Sequence, residues 1–386
     1  MDANGDLNVL VLIALVLLGV HYGRRRPVPQ HNSVLTGDLY YREIMATVNV
    51  NRFLQVSRMD KETFNLLKKL LTNVGGLQDS MYICAGQKLM ILIFVLRGHT
   101  NRETAERWQH SGATISTIVH EVSNCLLAVR HLNYKPAREG DPIASQIANF
   151  ARFSPYFDNC IGALDGTHIP AVVEPELKVR FINRKKFLSQ NVLGVANFDL
   201  TFAYALYGWE GSAHDSRVLD DAKARGLPMV PDKFYLGDGG YKLKRYILTP
   251  YRGERCNVVE FNLNGQGPTN KRELFNLRHS SLRNVVERIF GVVKRKFSIL
   301  VKMSPYSFDF QCDLVQCCFL LHNFVRINQL YEDEFYDNGG NEQNNIIDDE
   351  NDVEEENGFA MDALKAWRND IADAMWAQYQ LHLANL

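Results

Sequence analysis

The sequence predicts a mixed α/β fold that is preceded by an all-helical region. Helical spacing of apolar residues and helix-capping signals dominate before about residue 150, whereas runs of β-branched and apolar residues dominate after it. Such an order of helices and strands is typical of a sheet flanked by helices. The 386 residues are enough for two or three domains of about 100 to 200 residues each.

The charge of the chain is balanced overall but unevenly distributed. There are 43 Lys and Arg residues against 44 Asp and Glu residues, a net charge of −1. Lys178 to Lys186 is a basic cluster, whereas Tyr331 to Asn357 is rich in acids and contains no Lys or Arg. A basic body with an acidic segment indicates a polyanionic partner. The seven cysteines are scattered and lack Cys-x-x-Cys spacing, which is typical of a reduced, intracellular protein.

An apolar run from Leu7 to Val20 marks the N-terminal extension, which with its linker we assign to residues 1–36. The run is shorter than the roughly 20 residues that span a bilayer. Asp2 and Asp6 precede it and basic residues follow it, the reverse of a signal peptide. The sequence therefore favours a packed helix or an apolar extension, and membrane association through residues 7–20 is the less favoured reading.

The helical region is assigned to residues 37–150. Asp60 is placed to cap a helix that begins at Lys61, and Thr100 with Glu103 has capping-box spacing for a short helix. A tight turn at Ser111 to Ala113 then leads into a third helix, from Thr114 to Val129. This outline is like a helix-turn-helix, which either reads DNA or packs against the body of the protein.

The α/β region is assigned to residues 151–330, and its elements alternate between strands and helices. We predict strands at Cys160–Pro170, Gln190–Phe198, Thr201–Tyr207 and Lys233–Gly237, helices at Ser212–Lys223, Ser281–Phe297 and Gln311–Gln329, and a basic insertion from Lys242 to His279. The second and third strands form a hairpin around Asp199 and Leu200. An acidic, disordered linker is predicted for residues 331–358. A C-terminal amphipathic helix over 359–386 would dock on the body or on another protein.

Three acids follow or lie within these regular elements. Asp165 ends the apolar part of the first strand, Asp238 follows the fourth strand, and Glu287 lies on the helix from Ser281. Carboxylates at the ends of strands and on a helix are suitable ligands for Mg²⁺ or Mn²⁺, and these ions polarise phosphodiesters. Taken singly, each has an ordinary structural explanation: Asp before Gly is a common turn residue, and Glu287 could be an exposed helix position.

Basic residues surround these acids in the sequence. The candidates for binding nucleic acid are Arg184, Lys185, Lys186, Arg283, Arg288, Lys294 and Arg295. The alternative for them is a solubilising surface, with an intrahelical ion pair between Glu287 and Arg283. His168 and Asp215 are accessory candidates. His168 could instead be a hydrogen-bonded structural residue, and Asp215 could cap the start of a helix.

Four motifs in order carry a resemblance to a known family. They are Gly-Ala-Leu-Asp-Gly-Thr-His-Ile-Pro at 162–170, Gly-Trp-Glu-Gly-Ser-Ala-His-Asp-Ser-Arg-Val-Leu at 208–219, Gly-Asp-Gly-Gly-Tyr at 237–241 and Leu-Arg-Asn-Val-Val-Glu-Arg-Ile-Phe-Gly at 282–291. Together they resemble the PIF/Harbinger transposase family, which includes Harbinger-derived nucleases and plant ALP1-like proteins. The resemblance implies an RNase H-like DDE transposase core in which Asp165, Asp238 and Glu287 bind the metal ions.

The resemblance also implies a function. We expect a metal-dependent DNA endonuclease of transposase origin, with cleavage by two-metal in-line attack and strand transfer if the element is intact. The alternative is a domesticated, non-catalytic DNA- or chromatin-associated protein. Members of the family are similar in being nuclear and in relying on a separate Myb/SANT-like DNA-binding protein. A nuclear location is therefore expected, with the cytoplasm as the alternative, and a homo-oligomer is compatible with the sequence.

Overall fold

The computed structural model describes residues 9, 11–19, 30–255, 267–329 and 358–384. Residues 11–19 are helical, and their apolar side chains are exposed. No helix within the described ranges combines the length and apolar character needed to cross a membrane. Much of the predicted N-terminal extension, and residues 331–357 of the predicted acidic linker, lie outside the described residues.

Seven helices precede the first strand in the part of the chain from residue 30 onwards. They are α1 Gly37–Ala46, α2 Val50–Ser57, α3 Lys61–Asn73, α4 Ala85–Leu96, α5 Asn101–Trp108, α6 Gly112–Ala128 and α7 Ser145–Ala148. The predicted caps are confirmed: the Asp60 side chain accepts from the N–H of Thr63 at 2.7 Å, and Thr100 with Glu103 forms a capping box. α4 is buried along its whole length, as its continuous apolar sequence indicates.

The turn before α6 differs from the predicted one. The backbone reverses at Gln109, which has a left-handed conformation, and Ser111 caps α6 through the N–H of Thr114. Gly112 and Ala113 therefore lie inside the helix rather than in the turn. The Ser111 hydroxyl caps α6 because it accepts from a backbone N–H that has no partner within the helix. The prediction that Gly112 is a turn residue is therefore wrong. α6 packs with its apolar side against α4 and against a later helix, α11 (Phe308–Asn328).

A five-stranded mixed sheet forms the centre of the fold. Its strands are β1 Cys160–Pro170, β2 Ser189–Ala196, β3 Phe202–Glu210, β4 Phe234–Leu236 and β5 Ile247–Leu248, in the order β3-β2-β1-β4-β5. β1, β2 and β3 are antiparallel neighbours, whereas β4 runs parallel to β1 and β5 runs parallel to β4. The mixed α/β class and the β2–β3 hairpin are thus confirmed.

Helices cover both faces of the sheet, because successive side chains on each strand point to opposite sides. A short helix, α8 (Lys178–Phe181), precedes β2. One face, with Leu164 and Val195, packs against α9 (Asp215–Ala224). The other face, with Ala163 and Ile169, packs against α10 (Lys271–Lys296) and α11. This second core also includes the side chains of α3, α4 and α6, so the N-terminal helices share it with the sheet.

α10 begins ten residues before its predicted start, at Lys271 instead of Ser281. Its first turns mix polar and apolar residues: Leu274 and Phe275 are buried in the core, and buried polar side chains beside them form hydrogen bonds. The Asn276 side chain accepts from the N–H of Tyr251 at 2.8 Å, and a ring nitrogen of His279 lies 2.9 Å from the Leu248 carbonyl oxygen. The short strand β5, which ends at Leu248, was not predicted either, since two residues give no readable alternation.

The C-terminal helix, α12 (Gly358–Ala384), docks on the body of the protein. It packs along α10, with Ala372 and Met375 fully buried. Arg368 donates to the carbonyl oxygens of Thr249 and Pro250 at 3.2 and 3.0 Å. The helix therefore fixes the chain segment that follows β5. The sequence predicted that this helix docks on the body of the protein or on another protein, and docking on the body is observed.

Candidate active site

Asp165 lies where β1 loses one of its two neighbours. β1 pairs with β2 from Ala163 to Pro170, but its pairing with β4 ends at Ala163. Beyond that point no strand of the described residues pairs with this edge of β1, and Asp165 lies there with 5% of the residue exposed. The backbone N–H of Gly166 donates to the Asp165 carboxylate at 2.8 Å.

Asp238 follows the end of β4. β4 is parallel to β1, and Leu236 is paired with Ala163. Asp238 and Asp165 each come two residues after that pair, so the two acids come to the same level of the sheet. The N–H of Gly240 donates to the Asp238 carboxylate at 2.8 Å, and Arg252 donates to the carbonyl oxygen of Gly239 at 3.0 Å. The loop is therefore stabilised by one hydrogen bond within it and by one from Arg252, which lies in the segment after β5.

Glu287 reaches the same place because of the packing of α10 on the sheet. Gly194 in β2 is the cross-strand partner of Asp165, and a Cβ atom at Gly194 would lie 2.6 Å from the ring of Phe290. The absence of a side chain at Gly194 allows Phe290 to press against the sheet. Glu287, three residues earlier on α10, is thereby brought towards Asp165, since residues three apart share a helix face.

An arginine joins two of the acids. Arg283 donates to the Asp165 carboxylate at 3.2 Å and also to the carboxylate of Glu287, one turn along α10. Its side chain is only 16% exposed. The ion pair between Arg283 and Glu287 that the four-residue spacing allows is therefore present. Through Asp165, Arg283 also connects this ion pair to β1.

The electrostatics of the cluster follow from its excess of acids. Burial raises the pKa of Asp165 to about 8; the Arg283 guanidinium opposes that rise, and Asp238, Asp215 and Glu287 add to it. The pKa of Arg283 is raised: burial opposes its charge, but Asp165, Glu287 and Asp238 outweigh that penalty. The pKa of Asp165 stays raised in spite of the nearby guanidinium, because burial and three further carboxylates together outweigh one cation.

The donor set suits a hard divalent cation, although the carboxylates do not surround one position. No group of three Asp, Glu, His or Cys side chains within the described ranges is arranged to hold a metal ion. The Arg283 guanidinium lies between Asp165 and Glu287. The chemistry of the carboxylates fits Mg²⁺ or Mn²⁺, and a cation between Asp165 and Glu287 would require the Arg283 side chain to move.

The accessory candidates lie on the α9 face of the sheet. Asp215 is the first residue of α9, and its carboxylate accepts from the side-chain amide of Asn191 at 2.9 Å. His168 lies 3.1 Å from the hydroxyl of Ser189 through its Nδ1. Burial lowers the pKa of His168, Asp215 opposes this, and nearby basic residues add to it. The structural explanation that the sequence allowed for His168, a hydrogen-bonded residue, is therefore observed.

The basic candidates fall into two groups. Arg184, Lys185 and Lys186 are exposed on the loop before β2, and Arg288 is exposed on α10, while Lys294 and Arg295 are half-buried. Lys185 and Lys294 both act electrostatically on His168, so this loop and the end of α10 both lie near it. Arg283, in contrast, is placed among the acids and not on the exposed surface.

Tyr241 belongs to the site and was not singled out from the sequence. Burial raises the pKa of Tyr241 well above its ordinary value, and the charges of Asp215, Asp165 and Asp238 raise it further. Its hydroxyl is buried and has no hydrogen-bond partner within the described part of the chain. The signal available was its place in Gly-Asp-Gly-Gly-Tyr, three residues after Asp238.

Comparison with known proteins identifies related sequences in this part of the chain. Residues 164–323 match the family model described as DDE superfamily endonuclease, and residues 32–128 match a domain of unknown function, DUF8040. "Protein ALP1-like" from Arabidopsis thaliana is 29% identical over 189 residues, which cover 43% of each chain. "Putative nuclease HARBI1" from Homo sapiens is 24% identical over 169 residues, 42% of this chain and 45% of the relative.

The matched part thus spans less than half the length of these curated relatives. No solved structure gives a significant match. The family model includes Asp165, Asp238 and Glu287, so the acid cluster lies within the matched segment. The resemblance to Harbinger-derived nucleases that the motifs indicated is confirmed by these relatives.

The raised pKa of Asp165 predicts a pH dependence of stability. In the unfolded chain an Asp ionises near pH 4 (about 3.9), whereas folded Asp165 keeps its proton up to about pH 8. Between these values the folded state holds the extra proton, so stability falls as pH rises, by at most about 1.4 kcal/mol per unit. Urea unfolding from pH 5 to pH 9 should show that Asp165→Asn gains stability relative to wild type across this window. A constant difference would contradict the prediction.

Arg283 should be needed for the stability of the cluster. Arg283→Met leaves the carboxylates of Asp165 and Glu287 without their shared cation, and we expect a loss of about 3 kcal/mol in the free energy of unfolding. The loss should be smaller at pH 5, where Asp165 is protonated. The matched control is Arg288→Met, an exposed position on the same helix. Equal stability of the two variants at pH 8 would rule out this role for Arg283.

Proposed function

We propose that this chain, whose residues 164–323 match the family model described as DDE superfamily endonuclease, is a metal-dependent DNA endonuclease of transposase origin. The observation that supports the proposal is that Asp238 and Glu287 both act electrostatically on the buried carboxylate of Asp165, just beyond the point where β1 stops pairing with β4. The sheet order, with three antiparallel strands followed by two parallel ones, supports the RNase H-like arrangement that the motifs imply.

The proposed catalytic carboxylates are Asp165, Asp238 and Glu287, which would hold Mg²⁺ or Mn²⁺. A pair of such ions would polarise the phosphodiester and activate water for in-line attack. The protein contributes a rigid frame: β1 carries Asp165, the Gly240 N–H orients Asp238, and α10 carries Glu287. Arg283 would hold Asp165 and Glu287 in position before the ions enter and would then move towards the phosphate.

DNA is the proposed substrate. The exposed residues Arg184, Lys185 and Lys186 and the half-buried residues Lys294 and Arg295 would contact phosphates of the DNA. Strand transfer would follow if the 3′-hydroxyl released by cleavage is used in place of water. A separate Myb/SANT-like protein would select the sequence, and both would act in the nucleus, with a homo-oligomer as a further proposal.

The alternative, a DNA- or chromatin-associated protein without catalysis, has one observation in its favour. The Arg283 guanidinium contacts both Asp165 and Glu287, so part of the negative charge of the cluster is compensated by the protein itself. Membrane association through residues 7–20 is not part of either proposal. The cleavage assay below separates the two functions.

Each acid should be indispensable for cleavage. The full chain with Mg²⁺ or Mn²⁺ is expected to nick supercoiled plasmid DNA, and Asp165→Asn, Asp238→Asn or Glu287→Gln should each lower the rate on the order of 10³-fold or more. Non-additive losses are expected because the carboxylates act as one unit. The matched control is Asp220→Asn, an exposed acid on α9 that pairs with Lys244 at 3.2 Å. Equal nicking by the triad variants and the control would exclude the proposed catalytic site.

The basic loop before β2 should bind DNA through phosphates. Lys185→Ala and Lys186→Ala should each weaken binding of unrelated duplexes by a similar factor and reduce the slope of log K against log salt by about one. Fluorescence anisotropy over a series of salt concentrations measures this. The control is Lys365→Ala, on α12 and paired with Asp362. An unchanged slope in the loop variants would remove this loop from the proposed interface.

A further inference from the structure

A buried arginine on α10 has no acidic partner. Arg278 is 8% exposed, and its Nη1 atom is buried without a hydrogen-bond partner in the part of the chain that the structure describes. A buried guanidinium is normally compensated by a carboxylate, as Arg283 is on the same helix. No carboxylate forms an ion pair with Arg278 within the described ranges. Arg278 is therefore a buried cation that the described part of the protein does not neutralise.

Three parts of the chain meet around Arg278. Its guanidinium lies 5.7 Å from the centre of the Tyr156 ring, in the segment that precedes β1. The Tyr156 hydroxyl donates to the carbonyl oxygen of Ala374 on α12 at 3.3 Å, and the Gln378 side chain donates to the carbonyl oxygen of Ala151 at 3.3 Å. α10, α12 and the segment before β1 are thus joined at the point where Arg278 lies.

The surroundings of Arg278 are positively charged. Burial lowers the pKa of Arg278 and the neighbouring Arg152 lowers it further, whereas Tyr156 and Tyr379 oppose the change. Arg152 is exposed, and its guanidinium lies 4.7 Å from the centre of the Phe153 ring. Two guanidinium groups therefore lie near each other with phenol groups beside them.

Packing explains only part of this arrangement. The face of the Tyr156 ring attracts the Arg278 guanidinium, and this cation–π contact favours one position of the side chain. The contact leaves the positive charge of Arg278 uncompensated, and Arg152 adds repulsion. A methionine at position 278 would pack against the ring without either cost. The presence of an arginine therefore indicates an anion that binds from outside the chain.

We propose that Arg278 and Arg152 form a binding site for a phosphate group between α10, α12 and the segment before β1. A phosphate suits this pair because guanidinium groups donate to its oxygens in pairs, and because its negative charge balances the two cations. Tyr379 acts electrostatically on Arg278, and its hydroxyl would donate to a further oxygen. Since Arg152 is exposed, a phosphate reaches the pair from solvent. The phosphate belongs either to the backbone of bound DNA or to a free phosphate compound.

This phosphate site is separate from the acid cluster. Five positions along α10 separate Arg278 from Arg283, so their side chains point about 140° apart around the helix. Arg283 contacts Asp165 and Glu287, whereas Arg278 lies against Tyr156. A phosphate at Arg278 therefore leaves the carboxylates accessible, and its binding depends neither on metal ions nor on cleavage.

The test is the binding of inorganic phosphate to the full chain in EDTA, measured by isothermal titration calorimetry at constant ionic strength. Wild type is expected to bind phosphate saturably. Arg278→Met and Arg152→Met should each weaken the affinity on the order of tenfold or more, because each removes a charged donor. The matched control is Arg42→Met, an exposed arginine on α1 that pairs with Asp38 at 2.9 Å and should bind phosphate as wild type does.

Thermal unfolding separates phosphate binding from a packing role. Without phosphate, Arg278→Met should unfold at the same temperature as wild type or higher, because it removes an uncompensated buried charge. Phosphate should raise the unfolding temperature of wild type more than that of Arg278→Met. A loss of stability in Arg278→Met that is equal with and without phosphate would contradict the site. If Arg278→Met does not fold, the exposed Arg152→Met decides: weaker phosphate binding supports the site and unchanged binding overturns it.

The two sources of phosphate give different results with DNA. If the site takes a backbone phosphate, a bound duplex should exclude inorganic phosphate, and Arg278→Met should reduce the slope of log K against log salt for duplex binding by about one. If the site takes a free phosphate compound, the slope should stay the same while the affinity for phosphate falls. Unchanged phosphate affinity together with an unchanged slope in Arg278→Met would overturn the site and leave the nuclease proposal standing.

Discussion

The constraint on which the rest of the site depends is the compensation of buried negative charge. Asp165 is almost fully buried, and other carboxylates lie around it. Arg283 supplies the cation that such a cluster needs, because an uncompensated buried charge is costly. Since Arg283 and Glu287 lie one turn apart on α10, the same helix carries both the acid and its counter-ion. The position of α10 on the sheet therefore determines the geometry of the site.

That position is held by polar anchors as much as by apolar packing. Asn276 and His279 are buried on α10 and bond to the backbone around β5, and Asn323 on α11 bonds to both backbone groups of Phe202 in β3. A buried side chain that satisfies specific backbone groups fits only one register. The helices can therefore slide less than apolar contacts alone would allow. The C-terminal helix adds to this by holding the segment after β5.

The sheet separates the site into two chemically different halves. On the α10 face, Asp165 and Glu287 are bridged by a guanidinium. On the α9 face, Asp215 begins α9 and accepts a hydrogen bond from the side-chain amide of Asn191. The edge of β1 beyond its pairing with β4 lies between these two halves.

The sequence by itself determined the class of fold, the caps of α3 and α5, the β2–β3 hairpin and the identity of the acids. These follow from local rules: periodicity, capping and turn chemistry act over a few residues, and the motif order is specific. Only the tertiary structure decided that Arg283 lies among the acids, that Tyr241 belongs to the site, and that α10 begins at Lys271. Each of these depends on contacts between residues far apart in the chain, where a buried polar side chain is stabilised by a distant partner that no local pattern reveals.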